Sequence, residues 1–93
     1  MIHAVLHESE DTVGVAVVEG IKAGVELNAW IMDDDKLVTI VARQEIPIGH
    51  KVALKDMAVG DTVYKYGIDI GQVVAPIKAG EHAHVHNVKT KRW

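Results

Sequence analysis

Three of the chain's six histidines alternate within five residues near the C-terminus. In an extended strand, side chains two residues apart lie on one face, so His82, His84 and His86 would form a row of imidazoles. Ala83 and Val85 would point the other way, into the core. Imidazole binds metals and titrates near neutral pH, so the row predicts a metal or acid–base site, with His84 and His86 as catalytic candidates. A polar surface row or a subunit contact would show the same pattern.

The spacing of this row limits how it could hold an ion. Same-face neighbours on one strand are about 7 Å apart, so three of them rarely reach a single metal ion. Two histidines of the row plus a ligand from elsewhere in the chain fit more easily. His82, His84 and His86 are therefore candidate metal ligands that need help from another segment.

A second polar group follows a glycine turn at Gly49. A side chain can project from a strand end there, so His50 could be a general acid or base or could bind a carboxylate. Lys51 or Lys55 could neutralise an anionic substrate. A surface histidine that caps a turn is the alternative for His50.

Two further segments carry polar residues with a simpler explanation. Tyr66 is a candidate substrate contact, although Tyr66 and Gly67 also suit a tight hairpin. The run Asp33–Asp35 lacks the alternating oxygen ligands of a calcium loop and predicts an exposed hairpin tip.

Composition narrows the class of protein. The 93 residues carry a formal net charge of −3 and no cysteine, and only Lys89–Trp93 is basic, which argues against nucleic-acid binding. No apolar run approaches the roughly 20 residues of a membrane span. We expect one soluble, cytoplasmic domain over residues 1–93, with 89–93 as a basic tail whose Trp93 either docks on a partner or folds back.

β-branched residues alternate in short runs between glycine-containing turns, which predicts an all-β domain of short strands and bent hairpins. The predicted strands are Ala4–His7, Val13–Val18, Val25–Ile31, Leu37–Ala42, Thr62–Tyr64, Gln72–Ala75 and Ala83–Val88. The best helical candidate is a single turn at Leu54–Ala58.

A weak repeat also indicates compact β-structure. An apolar residue stands three positions before a glycine in four places, and each time a strand-forming stretch follows. Glycine can adopt the positive φ of such a turn. The repeat predicts four similar corners of one domain, which begin at Ile21, Ile46, Met57 and Ile77.

Three motifs in order resemble the SAF domains of the altronate dehydratase and (2R)-sulfolactate sulfo-lyase family. They are Gly-His-Lys within 46–60, Tyr-Gly-x-x-Ile-Gly within 64–75 and His-x-His-Asn within 77–87. The segment His7–Ala16 is similar to the family's opening strand pair, so the resemblance covers nearly the whole chain. Asn87, which closes the third motif, is a further candidate for substrate binding.

The resemblance implies a β-clip fold and a lyase. It favours the small subunit of a two-subunit enzyme that eliminates sulfite from (2R)-3-sulfolactate to give pyruvate. The small subunit of a split altronate- or galactarate-type dehydratase is the alternative. The implied partners are a larger catalytic subunit and a small anionic 2-hydroxy acid. The implied cofactor is a divalent metal, iron by resemblance, held mainly by the larger chain.

A non-catalytic role is the other class of function. SAF-like domains also occur in sialic acid synthases, antifreeze proteins and pilus-assembly proteins, where they bind ligands or partners. The ordered motifs favour the lyase. A chain this small has little room for an active-site cavity of its own, so we expect it to need the larger subunit for activity.

Overall fold

A computed structural model describes residues 1–65, 68–84 and 86–89, and this part of the chain is all-β, as the sequence predicts. It contains nine strands and no helix. The strands are β1 (Ala4–Leu6), β2 (Val13–Ala16), β3 (Glu26–Ile31), β4 (Lys36–Val41), β5 (Lys51–Ala53), β6 (Thr62–Lys65), β7 (Ile68–Val73), β8 (His82–Ala83) and β9 (Val88–Lys89). None of the described segments could span a membrane as a helix.

The strands form two sheets. The larger has six strands in the order β4-β3-β1-β2-β5-β8, and the smaller has three in the order β6-β7-β9. The pairing of β1 with β3 is parallel, whereas β1–β2, β2–β5 and β5–β8 are antiparallel. The segment before β5 carries His50 and β8 carries His82, so this edge of the large sheet matters for the site.

Two clusters of small apolar side chains fill the interior. One gathers Leu6, Leu27 and Ile46 under the large sheet, and the other gathers Val63 and Ile77 beside the small sheet. Strands β2 and β5 contribute to both clusters because successive side chains on a strand point to opposite faces. These two strands therefore join the halves of the molecule.

The four glycine corners are confirmed, and they pair two by two. Ile21 bridges Ile46, and Met57 bridges Ile77. The glycine of every corner has a positive φ. Each of these glycines donates its N–H to a carbonyl of another segment, at 2.7 or 2.8 Å. The repeat thus encodes two similar pairs of corners that anchor the sheets to each other.

Two local predictions were wrong. Leu54–Ala58 is not a helical turn: Met57 exchanges backbone hydrogen bonds with Ile77, at 2.7 and 2.9 Å, and this pairing keeps the segment extended. The strand predicted at Ala83–Val88 is interrupted, and its ends belong to different sheets as β8 and β9. The sequence also did not predict β5.

The run Asp33–Asp35 forms the exposed turn of the β3–β4 hairpin, as predicted. Asp35 has a φ of 50°. The indole N–H of Trp30 donates to Asp35 Oδ1 at 3.0 Å and closes the turn. The acidic run is therefore accounted for by the hairpin.

Candidate functional site

Three half-buried histidines from two segments meet at the β5–β8 edge: His50, His82 and His84, here called the histidine cluster. One ring nitrogen of each lies within 4.8 Å of one from each of the others. The ring centroids of His50 and His84 are 4.3 Å apart and stacked, and those of His50 and His82 are 5.0 Å apart. The structure thus places His50, from another segment, beside two histidines of the row.

The register of β5 and β8 explains why these rings meet. Lys51 lies opposite Ala83 and Val52 opposite His82. One more step in the same antiparallel register places His50 opposite His84. Directly opposed side chains on one face of a sheet are about 5 Å apart, and diagonal neighbours remain within reach of an aromatic ring.

A hydrogen bond joins two members of the cluster. His50 Nδ1 and His82 Nε2 are 2.9 Å apart, so one nitrogen carries the proton and the other accepts it. Two nitrogens bound to one zinc-like ion in tetrahedral geometry would be about 3.3 Å apart. The pair is thus spaced much as two ligands of a metal ion would be.

The third member has an unsatisfied nitrogen. Among the described residues, His84 Nδ1 is buried and has no hydrogen-bond partner. A buried polar atom without a partner is costly, which makes a ligand for it the simplest explanation. An ion bonded at about 2.1 Å to each of two nitrogens allows them at most about 4.2 Å of separation, so small ring rotations would let all three share one ion.

The surroundings favour the neutral forms of His82 and His84. Burial lowers the pKa of His82 and of His84, and the neighbouring histidines and Lys51 lower both pKa values further. Burial also lowers the pKa of Lys51, with the positive charge of Lys65 adding to the effect. A neutral imidazole can bind a metal or accept a proton, so both chemistries remain open to the cluster at neutral pH.

These shifts predict acid lability of the metal-free fold. The folded-state pKa values of His82 and His84 lie below the ordinary value of about 6.5. The free energy of unfolding therefore has its full value above about pH 6.5, and it decreases as the pH drops below that through the folded-state pKa values. The urea concentration at the midpoint of unfolding should therefore be lower at about pH 5.5 than at about pH 7.5. The decrease should be smaller in a His82→Gln/His84→Gln variant. An equal fall in both proteins would contradict this assignment.

Asn87 lies beneath the cluster and is only 7% exposed. Its Oδ1 accepts a hydrogen bond from the backbone N–H of His84 at 2.8 Å, and its Nδ2 donates one to the backbone carbonyl of His82 at 2.9 Å. These bonds replace the strand pairing that the sequence predicted and turn the chain after His84. His86 therefore does not continue the row; it is exposed, with its ring centroid 5.5 Å from that of His82.

The other predicted site residues are distributed as follows. Lys51 lies on β5, close enough to His82 and His84 for its charge to affect their pKa values. Lys55 is exposed and lines a separate cavity of about 190 Å³ with Leu6 and Leu54. Tyr66 lies outside the described residues, as do Val85 and the tail residues 90–93.

Two residues near the cluster were missed from the sequence. Gln44 Oε1 accepts the backbone N–H of His82 at 2.9 Å. Lys65, at the end of β6, adds positive charge near Lys51. Neither belongs to a motif, and only the pairing of distant segments brings them to the site.

A small all-β domain of short strands and bent hairpins is the fold that the resemblance to SAF domains implies. The chain belongs to this class: the family model described as the altronate/galactarate dehydratase SAF domain matches residues 2–91.

Individual relatives define the closer similarity. The chain is 54% identical over 92 residues to the (2R)-sulfolactate sulfo-lyase subunit alpha of Chromohalobacter salexigens, covering 99% of this chain and 98% of that protein. It is 51% identical over 63 residues to the same-named subunit of Paracoccus pantotrophus, covering 68% of this chain and 94% of that one. It is 42% identical over 80 residues to Escherichia coli altronate dehydratase, covering 86% of this chain but 15% of that protein.

Proposed function

We propose that this chain is the small, alpha-type subunit of a carbon–sulfur lyase that eliminates sulfite from (2R)-3-sulfolactate to give pyruvate. The observation that carries the proposal is the cluster of three histidines beside Lys51, in which burial lowers the pKa of His82 and of His84. The 54% identity across 98% of a sulfo-lyase alpha subunit supports the choice of substrate over a sugar acid. A small subunit of a sugar-acid dehydratase is the second candidate, supported by the match to altronate dehydratase.

The reaction is an elimination followed by tautomerisation of the enol. A base removes the proton from C2, the C3–S bond breaks, and sulfite leaves with the bonding electrons; the enol of pyruvate then takes up a proton at C3 and loses its hydroxyl proton. A neutral imidazole of the cluster is suited to accept or return a proton. The Lys51 ammonium group is suited to pair with the substrate's carboxylate or sulfonate, since charge-assisted hydrogen bonds are the strong ones.

The cluster also fits a divalent metal ion. The supporting observations are the three converging ring nitrogens, the 2.9 Å pair and the partnerless His84 Nδ1. When bound, such an ion would polarise a substrate oxygen as a Lewis acid. His50, His82 and His84 would hold it, and we propose iron among the ions that imidazole binds.

A larger catalytic subunit completes the site in this proposal. The cluster lies at a sheet edge on half-buried residues and belongs to none of the cavities described above. A cavity of about 340 Å³ elsewhere in the domain is lined by the acidic residues Glu8, Glu10 and Asp11, which do not favour an anionic substrate. Relatives named as alpha subunits support a second chain. We place the complex in the cytoplasm on composition alone.

The test is an assay of this chain with and without the larger subunit. We expect sulfite and pyruvate from sulfolactate only when both chains are present. Faster dehydration of altronate or galactarate would favour the dehydratase instead. Activity of the small chain alone would contradict the division of labour, and inactivity on all three substrates would favour a non-catalytic module.

Lys51 gives a prediction about substrate binding. Replacing Lys51 with methionine should raise KM for sulfolactate by about 10–100-fold, the value of one charge-assisted hydrogen bond of about 1.5–3 kcal/mol. The control is Lys22→Met, at an exposed lysine of the first glycine corner, which should leave KM unchanged. Equal KM values for the two variants would remove Lys51 from the site.

A further inference from the structure

The Asn87 side chain forms hydrogen bonds to the backbone of both His82 and His84. Its acceptor and one of its donor hydrogens are engaged, at 2.8 Å to the His84 N–H and at 2.9 Å to the His82 carbonyl. The residue is only 7% exposed, so water does not compete freely for these bonds. A buried amide held in this way is a rigid brace between the histidines.

Further hydrogen bonds complete the brace. The His84 carbonyl accepts the N–H groups of Asn87 and Val88, at 3.0 and 2.8 Å, which reverses the chain directly after the cluster. Gln44 Oε1 accepts a hydrogen bond from the backbone N–H of His82, at 2.9 Å. The backbone N–H groups of both histidines are therefore bonded by amide side chains, whereas the ring nitrogens are left for one another or for a ligand.

We propose that Asn87 is a positioning residue for the histidine cluster rather than the substrate contact that the sequence suggested. It holds His82 and His84 so that their ring nitrogens converge with that of His50 on one ligand. The inference rests on the proposed function only where it names that ligand as a metal ion. Residues that orient metal ligands typically contribute 10–100-fold in affinity.

The test compares Co²⁺ binding by the full chain in three forms. Asn87→Ala should bind Co²⁺ about 10–100-fold more weakly than the wild type, with altered visible absorption bands. Asn87→Asp keeps an oxygen that can accept the backbone N–H of His84 but loses the amide donor to the His82 carbonyl. Its affinity for Co²⁺ should therefore lie between those of the wild type and Asn87→Ala. The matched control is Asn28→Ala, which removes an equivalent bond of 2.9 Å to the Met1 carbonyl away from the cluster.

A second measurement needs no metal. Long-range ¹H–¹⁵N NMR of the metal-free chain should show one protonated and one bare nitrogen across the His50–His82 hydrogen bond. This asymmetry should be lost in Asn87→Ala and kept in Asn28→Ala.

The outcomes separate the two proposals. Wild-type Co²⁺ affinity and an unchanged tautomer pattern in Asn87→Ala would overturn the positioning role. If the wild type bound no Co²⁺ but Asn87→Ala lost the tautomer pattern, the metal proposal would fail and the positioning role would stand.

Discussion

Replacing Gly80 with alanine is expected to lower the free energy of unfolding by about 3–5 kcal/mol, which is most of the stability of a small domain. Gly80 has a φ of +89°, and an added Cβ would lie well inside van der Waals contact of the Val41 carbonyl oxygen. The backbone cannot easily move away, because the Gly80 N–H donates to the Ala53 carbonyl and its own carbonyl accepts the Arg43 N–H, both at 2.8 Å.

The matched control is Gly60→Ala, at the equivalent position of another corner. Gly60 has a φ of +94°, but apart from its chain neighbours no described residue has a heavy atom within 4 Å of the added Cβ. Gly60→Ala should therefore lower the free energy of unfolding only by the strain of an alanine at positive φ, about 1–2 kcal/mol. Urea unfolding of the two variants measures the difference. Equal losses would show that the contact with Val41 does not constrain the fold.

Replacing His84 with alanine should lower kcat of the assembled lyase by about 100-fold or more. His84 stacks on His50 and supplies the buried nitrogen that has no partner among the described residues. His86→Ala should cost far less, since His86 is exposed and lies outside the converging group. The structure thus separates two residues that the sequence treated alike as catalytic candidates.

His7→Ala serves as the control, because His7 is an exposed histidine that pairs with Glu8. Its kcat should match that of the wild type. If His86→Ala proved as damaging as His84→Ala, the continuous row predicted from the sequence would describe the assembled enzyme better than the cluster does. Urea midpoints of all three variants would exclude unfolding as the cause.

The corners and most strands could be predicted because their signals are local. An apolar residue, a turn glycine and an alternating stretch lie together in the sequence, and the structure uses all four copies. Strand β5 was missed because Lys51–Ala53 is short and begins with a lysine, so it lacks the apolar run that marks the equally short β1. Its pairing with β2 and β8 stabilises it, and no local pattern records that pairing.

The site was only partly predictable for the same reason. The sequence named His50, His82 and His84 as separate candidates, and the roughly 7 Å spacing of the row predicted that a metal ion would need a ligand from another segment, which stays a prediction. The identity of that ligand depended on the register of β5 against β8. The turn at His84 depended on the Asn87 side chain, which competes with the strand for the same backbone groups. Alternation alone cannot reveal such competition.

The most direct test is to locate the metal in crystals of the two-chain complex by anomalous diffraction at its absorption edge. We expect one peak about 2.0–2.5 Å from ring nitrogens of at least two of His50, His82 and His84, with the larger subunit completing the coordination. A peak bound wholly by the larger subunit, with the three histidines in contact with neither metal nor substrate, would remove the histidine cluster from the site.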